Sequence, residues 1–145
     1  MKIVSDDKSS ELRIESCCCE IANYPSLCFY LELKTEDVSG RLHEVWIEGE
    51  VVARFLKHLK RLDASRKEFA TLQSMRPDEF AMTLFPLDSL GHIGLKGTMR
   101  GRNYSRTSKL IQFSVEGAFE IEPTSIPQII AGLNQLITEQ RQSTV

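Results

Sequence analysis

The sequence predicts an α+β fold in a single domain, residues 1–145. Its elements are a mostly antiparallel sheet of six to seven strands and two amphipathic helices, in the order βββ-α-ββββ-α. Three observations predict it. Apolar and polar residues alternate through most of the chain, as they do in half-buried strands. The period changes to 3.6 in two places, each long enough for one helix. The strand-like segments come in consecutive runs joined by short turns, which favours antiparallel neighbours over the crossovers of a doubly wound sheet.

Residues 1–10, with Asp6, Asp7, Ser9 and Ser10, read as a frayed end or a loosely held edge. From Glu11 the period of two begins, with Leu12 and Ile14 on one face and Arg13 and Glu15 on the other. Asn23-Tyr24-Pro25-Ser26 makes a turn. Leu27, Phe29, Leu31 and Leu33 then alternate with Cys28, Tyr30, Glu32 and Lys34, and residues 42–47 return as a third strand. Val52, Phe55, Leu56, Leu59 and Leu62 fall on one helical stripe and predict a helix over residues 50–63. Its bases cluster toward the C-terminal end, where they suit the helix dipole.

A short strand is predicted over residues 69–74, and a clearer one over 79–85 through Phe80, Met82 and Leu84. Residues 91–100 continue the alternation with Ile93, Leu95 and Met99. Residues 101–107 are polar, basic and glycine-bearing, and read as a hairpin loop. A long strand follows over 110–121, with Gly117 in its middle predicting a bulge or bend. Ser125 as cap, Gln128 completing a capping box and Pro127 in the first turn open the last helix. Its stripe is Ile126, Ile129, Ile130, Leu133, Leu136 and Ile137, and the polar tail over 139–145 is expected to fray.

At 145 residues, with 41% hydrophobic and 26% charged, the chain can bury one core without disulfides or a metal. A net charge of −2 gives no general attraction to nucleic acid. That charge is unevenly spread: −6 over residues 1–50, +7 over 51–109 and −3 over 110–145. Either the molecule has an acidic and a basic face, or the charges intermix on folding. The start is polar and acidic, and no apolar run approaches the ~20 residues a membrane crossing needs. A cytoplasmic protein is expected. Cys17, Cys18, Cys19 and Cys28 read as reduced core-filling thiols, because consecutive residues of a strand point to opposite faces and do not converge on one ion.

No pattern for catalysis emerges. His43, His58 and His92 show no metal-ligand spacing, and no nucleophile elbow or phosphate-binding glycine loop occurs. The glycines around His92 lie in an alternating strand and do not open a helix, so no nucleotide site is expected there. Neither catalytic, cofactor nor metal residues are predicted. The basic loop is the one candidate surface. Arg100, Arg102, Tyr104 and Arg106 combine the two residue types favoured at interface hot spots, and are the predicted protein-contact residues.

Further signals lie in Val45-Trp46-Ile47-Glu48-Gly49, Ala70-Thr71-Leu72-Gln73-Ser74, Pro77-Asp78-Glu79-Phe80 and Leu90-Gly91-His92-Ile93. They end at Gly117-Ala118-Phe119-Glu120-Ile121-Glu122-Pro123. In this outline, over residues 42–133, the chain resembles WapI-type bacterial immunity proteins. Glu68 and Phe69 stand where that outline has a glycine. The resemblance implies a non-catalytic antidote that binds and neutralises one cognate toxin domain. Its partner is then a protein, with no nucleic acid, membrane or cofactor, and a homodimer is open to it through unpaired sheet edges. A secretion-effector chaperone or adaptor is the alternative. A ligand-binding or enzymatic site composed only in three dimensions is another.

Overall fold

The computed structural model describes residues 1–20 and 25–143. The first half contains β1 (Lys2–Val4), β2 (Glu11–Glu20), β3 (Ser26–Lys34), β4 (Ser39–Glu48) and α1 (Gly49–Ser65). The second half repeats that order with β5 (Ala70–Gln73), β6 (Phe80–Pro86), β7 (Ile93–Tyr104) and β8 (Leu110–Ile121). A 3-10 turn (Pro123–Ser125) then leads into α2 (Ile126–Ser143). Each set of four strands is an antiparallel meander of its own, β1-β2-β3-β4 and β5-β6-β7-β8.

The expected single sheet of six to seven strands is therefore wrong. There are two four-stranded sheets, and the order is ββββα twice over. Two local features account for the difference. β1 has only three residues, too few to show a period, yet it pairs with β2 from Lys2↔Arg13 to Val4↔Glu11 and buries Ile3. Of the two readings of the start, a frayed end or a loosely held edge, the structure shows the edge, held by pairing with β2. Then α1 separates β4 from β5, and the chain re-enters strand structure in the second sheet.

One core joins everything. Leu12, Ile14, Phe29, Leu31 and Leu33 of the first sheet share it with Leu72, Phe80, Met82 and Leu95 of the second, and with the stripes of both helices. Each helix crosses between halves: α1 packs on β5, α2 packs on β2, and the two helices touch. In α1 the buried positions are Val52, Phe55, Leu59 and Leu62, and Arg66 ends the helix in a left-handed conformation, its N–H donating to the Leu62 carbonyl. In α2 the buried positions are Ile126, Ile129, Leu133 and Leu136, followed in phase by Gln140. The last turns of α2 are therefore docked, and only residues 144–145 of the expected frayed tail lie outside the described residues, as do residues 21–24 of the turn before β3.

Gly117 makes no bulge. The β7–β8 register is unbroken from Ile93↔Ile121 to Tyr104↔Leu110 and sets Gly117 opposite Gly97. Their missing side chains admit the first sheet. A Cβ on Gly117 would lie 2.9 Å from Cγ2 of Thr35 and 3.2 Å from Cδ2 of Leu33, and one on Gly97 would lie 3.4 Å from Leu33. Gly40 of β4 makes a similar close approach from the other side, where a Cβ would lie 2.9 Å from Cγ2 of Val115.

Candidate functional site

β7 and β8 have twelve residues each, against seven in β6 and four in β5. β6 pairs with β7 only as far as Phe80↔Met99, so residues 100–114 continue as a two-stranded arm. The segment expected to be a loop, residues 101–107, is mostly strand. Composition alone reads it as loop because its residues are polar; the ladder hydrogen bonds to β8 hold it instead. The true tip is residues 105–109. The Ser105 N–H donates to the Lys109 carbonyl at 2.8 Å, and Ser108 takes the left-handed conformation (φ 59°) that closes a three-residue hairpin loop.

The arm has two faces of different chemistry. On the outer face, Arg100, Arg102 and Tyr104 of β7 stand opposite Ser114, Gln112 and Leu110 of β8. On the inner face, Gly101 and Asn103 stand opposite Phe113 and Ile111. The Phe113 ring lies across Gly101, where a Cβ would fall 1.9 Å from Cζ. Exposure of Tyr104 (74%), Ile111 (54%), Leu110 (47%) and Phe113 (43%) is high for apolar or aromatic side chains in strands. From residue 97 to 115 the chain carries four bases, Arg100, Arg102, Arg106 and Lys109, and no acid. Arg100 reaches Asp78 at 3.6 Å; among the described residues Arg102, Arg106 and Lys109 form no ion pair. All four predicted contact residues thus fall on this one arm, three of them in a row along β7 and Arg106 at the tip. The exposure of Leu110, Ile111 and Phe113 was not predicted from the sequence.

A cleft of about 580 Å³ opens at the root of the arm, lined by Glu48, Gln73, Asp78, Arg100 and Glu116 among others. Three of its charged side chains are engaged in ion pairs, Arg100 with Asp78 and Glu116 with Lys96 at 2.9 Å. A second, more apolar groove of about 620 Å³ runs between α1, α2 and the start of β3.

Of the four expected core-filling thiols only Cys28 is buried, Cys17 and Cys18 being exposed, and their arrangement departs from strict alternation. The β2–β3 register shifts between Ser16 and Cys18, a bulge that sets Cys18 directly opposite Cys28 and brings Cys17 to the same neighbourhood. Burial, the leading cause, raises the Cys17 and Cys28 thiols above their ordinary range, so neither is a ready nucleophile near neutrality. Among the described residues no group of three or more His, Cys, Asp or Glu side chains is placed to hold a metal ion.

His92 and Asp88 form the one close histidine–carboxylate pair among the described residues. Asp88 bonds the His92 ring through Oδ2 and accepts the Leu90 N–H at 2.8 Å through Oδ1. The hydrogen bond, then the charge of Asp88, raises His92 above its ordinary 6.5, and the same bond lowers Asp88. The pair is exposed, and no nucleophile bonded to His92 occurs among the described residues, so it pins the 87–92 turn. Its contribution is complete below the unfolded His value and fades as pH rises through the folded one. It also fades as pH falls through the lowered Asp88 value. In an NMR titration, His92 is expected to titrate above 6.5, and Asp88→Asn to bring it back toward 6.5. An unchanged midpoint in Asp88→Asn would contradict this account.

No helix among the described residues is long and apolar enough to cross a membrane. Comparison with family models, curated proteins and solved structures finds no match to this chain.

Proposed function

We propose that this chain is a non-catalytic binding protein of the immunity type, which neutralises a partner protein by covering an acidic surface on it with the outer face of the β7–β8 arm. One observation carries the reading. Arg100, Arg102, Tyr104 and Leu110 stand side by side on an exposed strand face, in a segment with four bases and no acid. Arg and Tyr beside an aliphatic side chain is the composition of a protein hot spot, in which partly desolvated charge sits next to apolar contact. A nucleic-acid platform needs aromatic faces and cations but has no use for the exposed Leu110 beside them. The partner's complementary charge is therefore negative. The resemblance over residues 42–133 supplies the antidote part of the proposal.

The test is co-expression with the product of the adjacent reading frame. Growth rescue and co-purification are expected with the native chain. Arg102→Glu combined with Tyr104→Ala is expected to weaken binding by about 100-fold or more, since each hot-spot truncation costs about 2 kcal/mol. Rescue that survives the double variant, or tighter binding to oligothymidylate than to any protein partner, would refute the reading.

A further inference from the structure

The free edge of β8 carries an inference that goes beyond the partner reading. Hydrogen-bond directions along the arm follow from two bonds. The Arg100 N–H donates to the Glu79 carbonyl on the β6 side, so even-numbered residues of β7 point away from β8. In the register Arg100↔Ser114, even-numbered residues of β8 then point their N–H and C=O groups out of the sheet. The Glu120 carbonyl confirms it, because it accepts the N–H of Asp6 from outside the sheet at 2.9 Å. Leu110, Gln112, Ser114, Glu116 and Ala118 remain, all exposed, with no strand beside them among the described residues. A long edge of this kind is a pairing template unless something blunts it, and here Glu116 is its only charge.

We infer that this edge pairs with the same edge of a second copy of the chain, antiparallel about a two-fold axis through Ser114. Ser114 is the midpoint of the free stretch, so this register alone pairs all of it, with about ten backbone hydrogen bonds. Side chains agree with it. On the inner face Phe113 meets Val115 of the other copy, which covers part of the apolar surface that the arm leaves exposed, and Ile111 comes beside Gly117, over which Thr35 and Leu33 of the first sheet already lie. On the outer face Gln112 meets Glu116, and no like charges are opposed. Each arm tip, with Arg106 and Lys109, runs toward the far end of the other copy's β8. There Asp6, Asp7 and Glu120 line a cleft of about 300 Å³. The Ser5 hydroxyl, then the N–H and hydroxyl of Ser9, hold the Asp7 carboxyl down to about 2, so it is ionised near neutrality. The two sheets become one eight-stranded sheet, whose outer face, with Arg100, Arg102 and Tyr104 from both copies, stays open.

Sedimentation and backbone amide exchange test this on the full chain. The expected mass is about twice the 16.5 kDa of one chain, with the amides of Gln112, Ser114 and Glu116 protected. Ser114→Pro removes an outward N–H and no bond to β7. It is expected to raise the dimer dissociation constant about 100-fold with an unchanged circular dichroism spectrum. Gln112→Glu, which sets like charges opposite Glu116 of the other copy, should dissociate the pair, and Gln112→Lys at the same position should keep it, a contrast that a folding defect would not produce. A monomer up to high micromolar concentration with these amides unprotected, or a dimer indifferent to Ser114→Pro, would overturn the inference. Partner binding is read by growth rescue and dimerisation by mass, so failure of one is distinguishable from failure of the other.

Discussion

Truncation of Phe55 to alanine is expected to cost about 3–5 kcal/mol, the range for deleting a buried ring that the surroundings cannot collapse to fill. Phe55 is completely buried at the centre of the α1 stripe, in a core built from both sheets and both helices. α1 packs on β5 of the second sheet and touches α2, so a void beside it loosens contacts of both halves at once. For a chain of this length the melting temperature should fall by about 10–15 °C. Leu90, 83% exposed, is the control, and Leu90→Ala should stay within about 0.5 kcal/mol of the native chain. A urea titration of both variants checks the pair. A loss below about 1 kcal/mol for Phe55→Ala would mean that α1 is not docked as described.

Replacement of Gln140 by leucine should destabilise by about 2–5 kcal/mol, although the substitution adds apolar surface to the core. Gln140 is 2% exposed, and its amide completes the hydrogen bonding of one strand residue. Nε2 donates to the Cys28 carbonyl at 2.8 Å, and Oε1 accepts the Cys28 N–H at 3.2 Å. Leucine fills similar volume but leaves two buried backbone groups without partners, each worth about 1–3 kcal/mol. The Cys28 amide should exchange faster than its neighbours in the variant. Equal stability of Gln140→Leu and the native chain would show that water or β2 satisfies those groups instead.

Gln140 illustrates what can be read from a sequence and what cannot. The stripe Ile126, Ile129, Leu133, Leu136 places residue 140 next in phase, so its burial was legible in the period. Its polarity pointed the other way and made the tail look frayed. Only the bulge between Ser16 and Cys18, more than a hundred residues away, supplies the backbone groups that make a buried amide favourable. The cysteines fail for a related reason. Alternation is a rule for an unbroken ladder, and one extra residue in β2 undoes it. At the arm, the basic residues were visible as a cluster, but their placement in a row on one face needed the β7–β8 register. Polar residues carry no sign of whether a neighbouring strand will take their backbone hydrogen bonds.

By itself the sequence determined the class of each long element, the antiparallel meanders, the buried stripes of both helices and the acid-free basic segment. All of these follow from periods and composition read over a short window, because a side chain's face is set by its own strand or helix. The tertiary structure alone decided the partition into two sheets, the ββββα repeat, the glycine contact between the sheets and the projecting arm with its open edge. Each of those depends on which distant backbone groups meet, and hydrogen bonds between strands are paid for by geometry that no local pattern encodes.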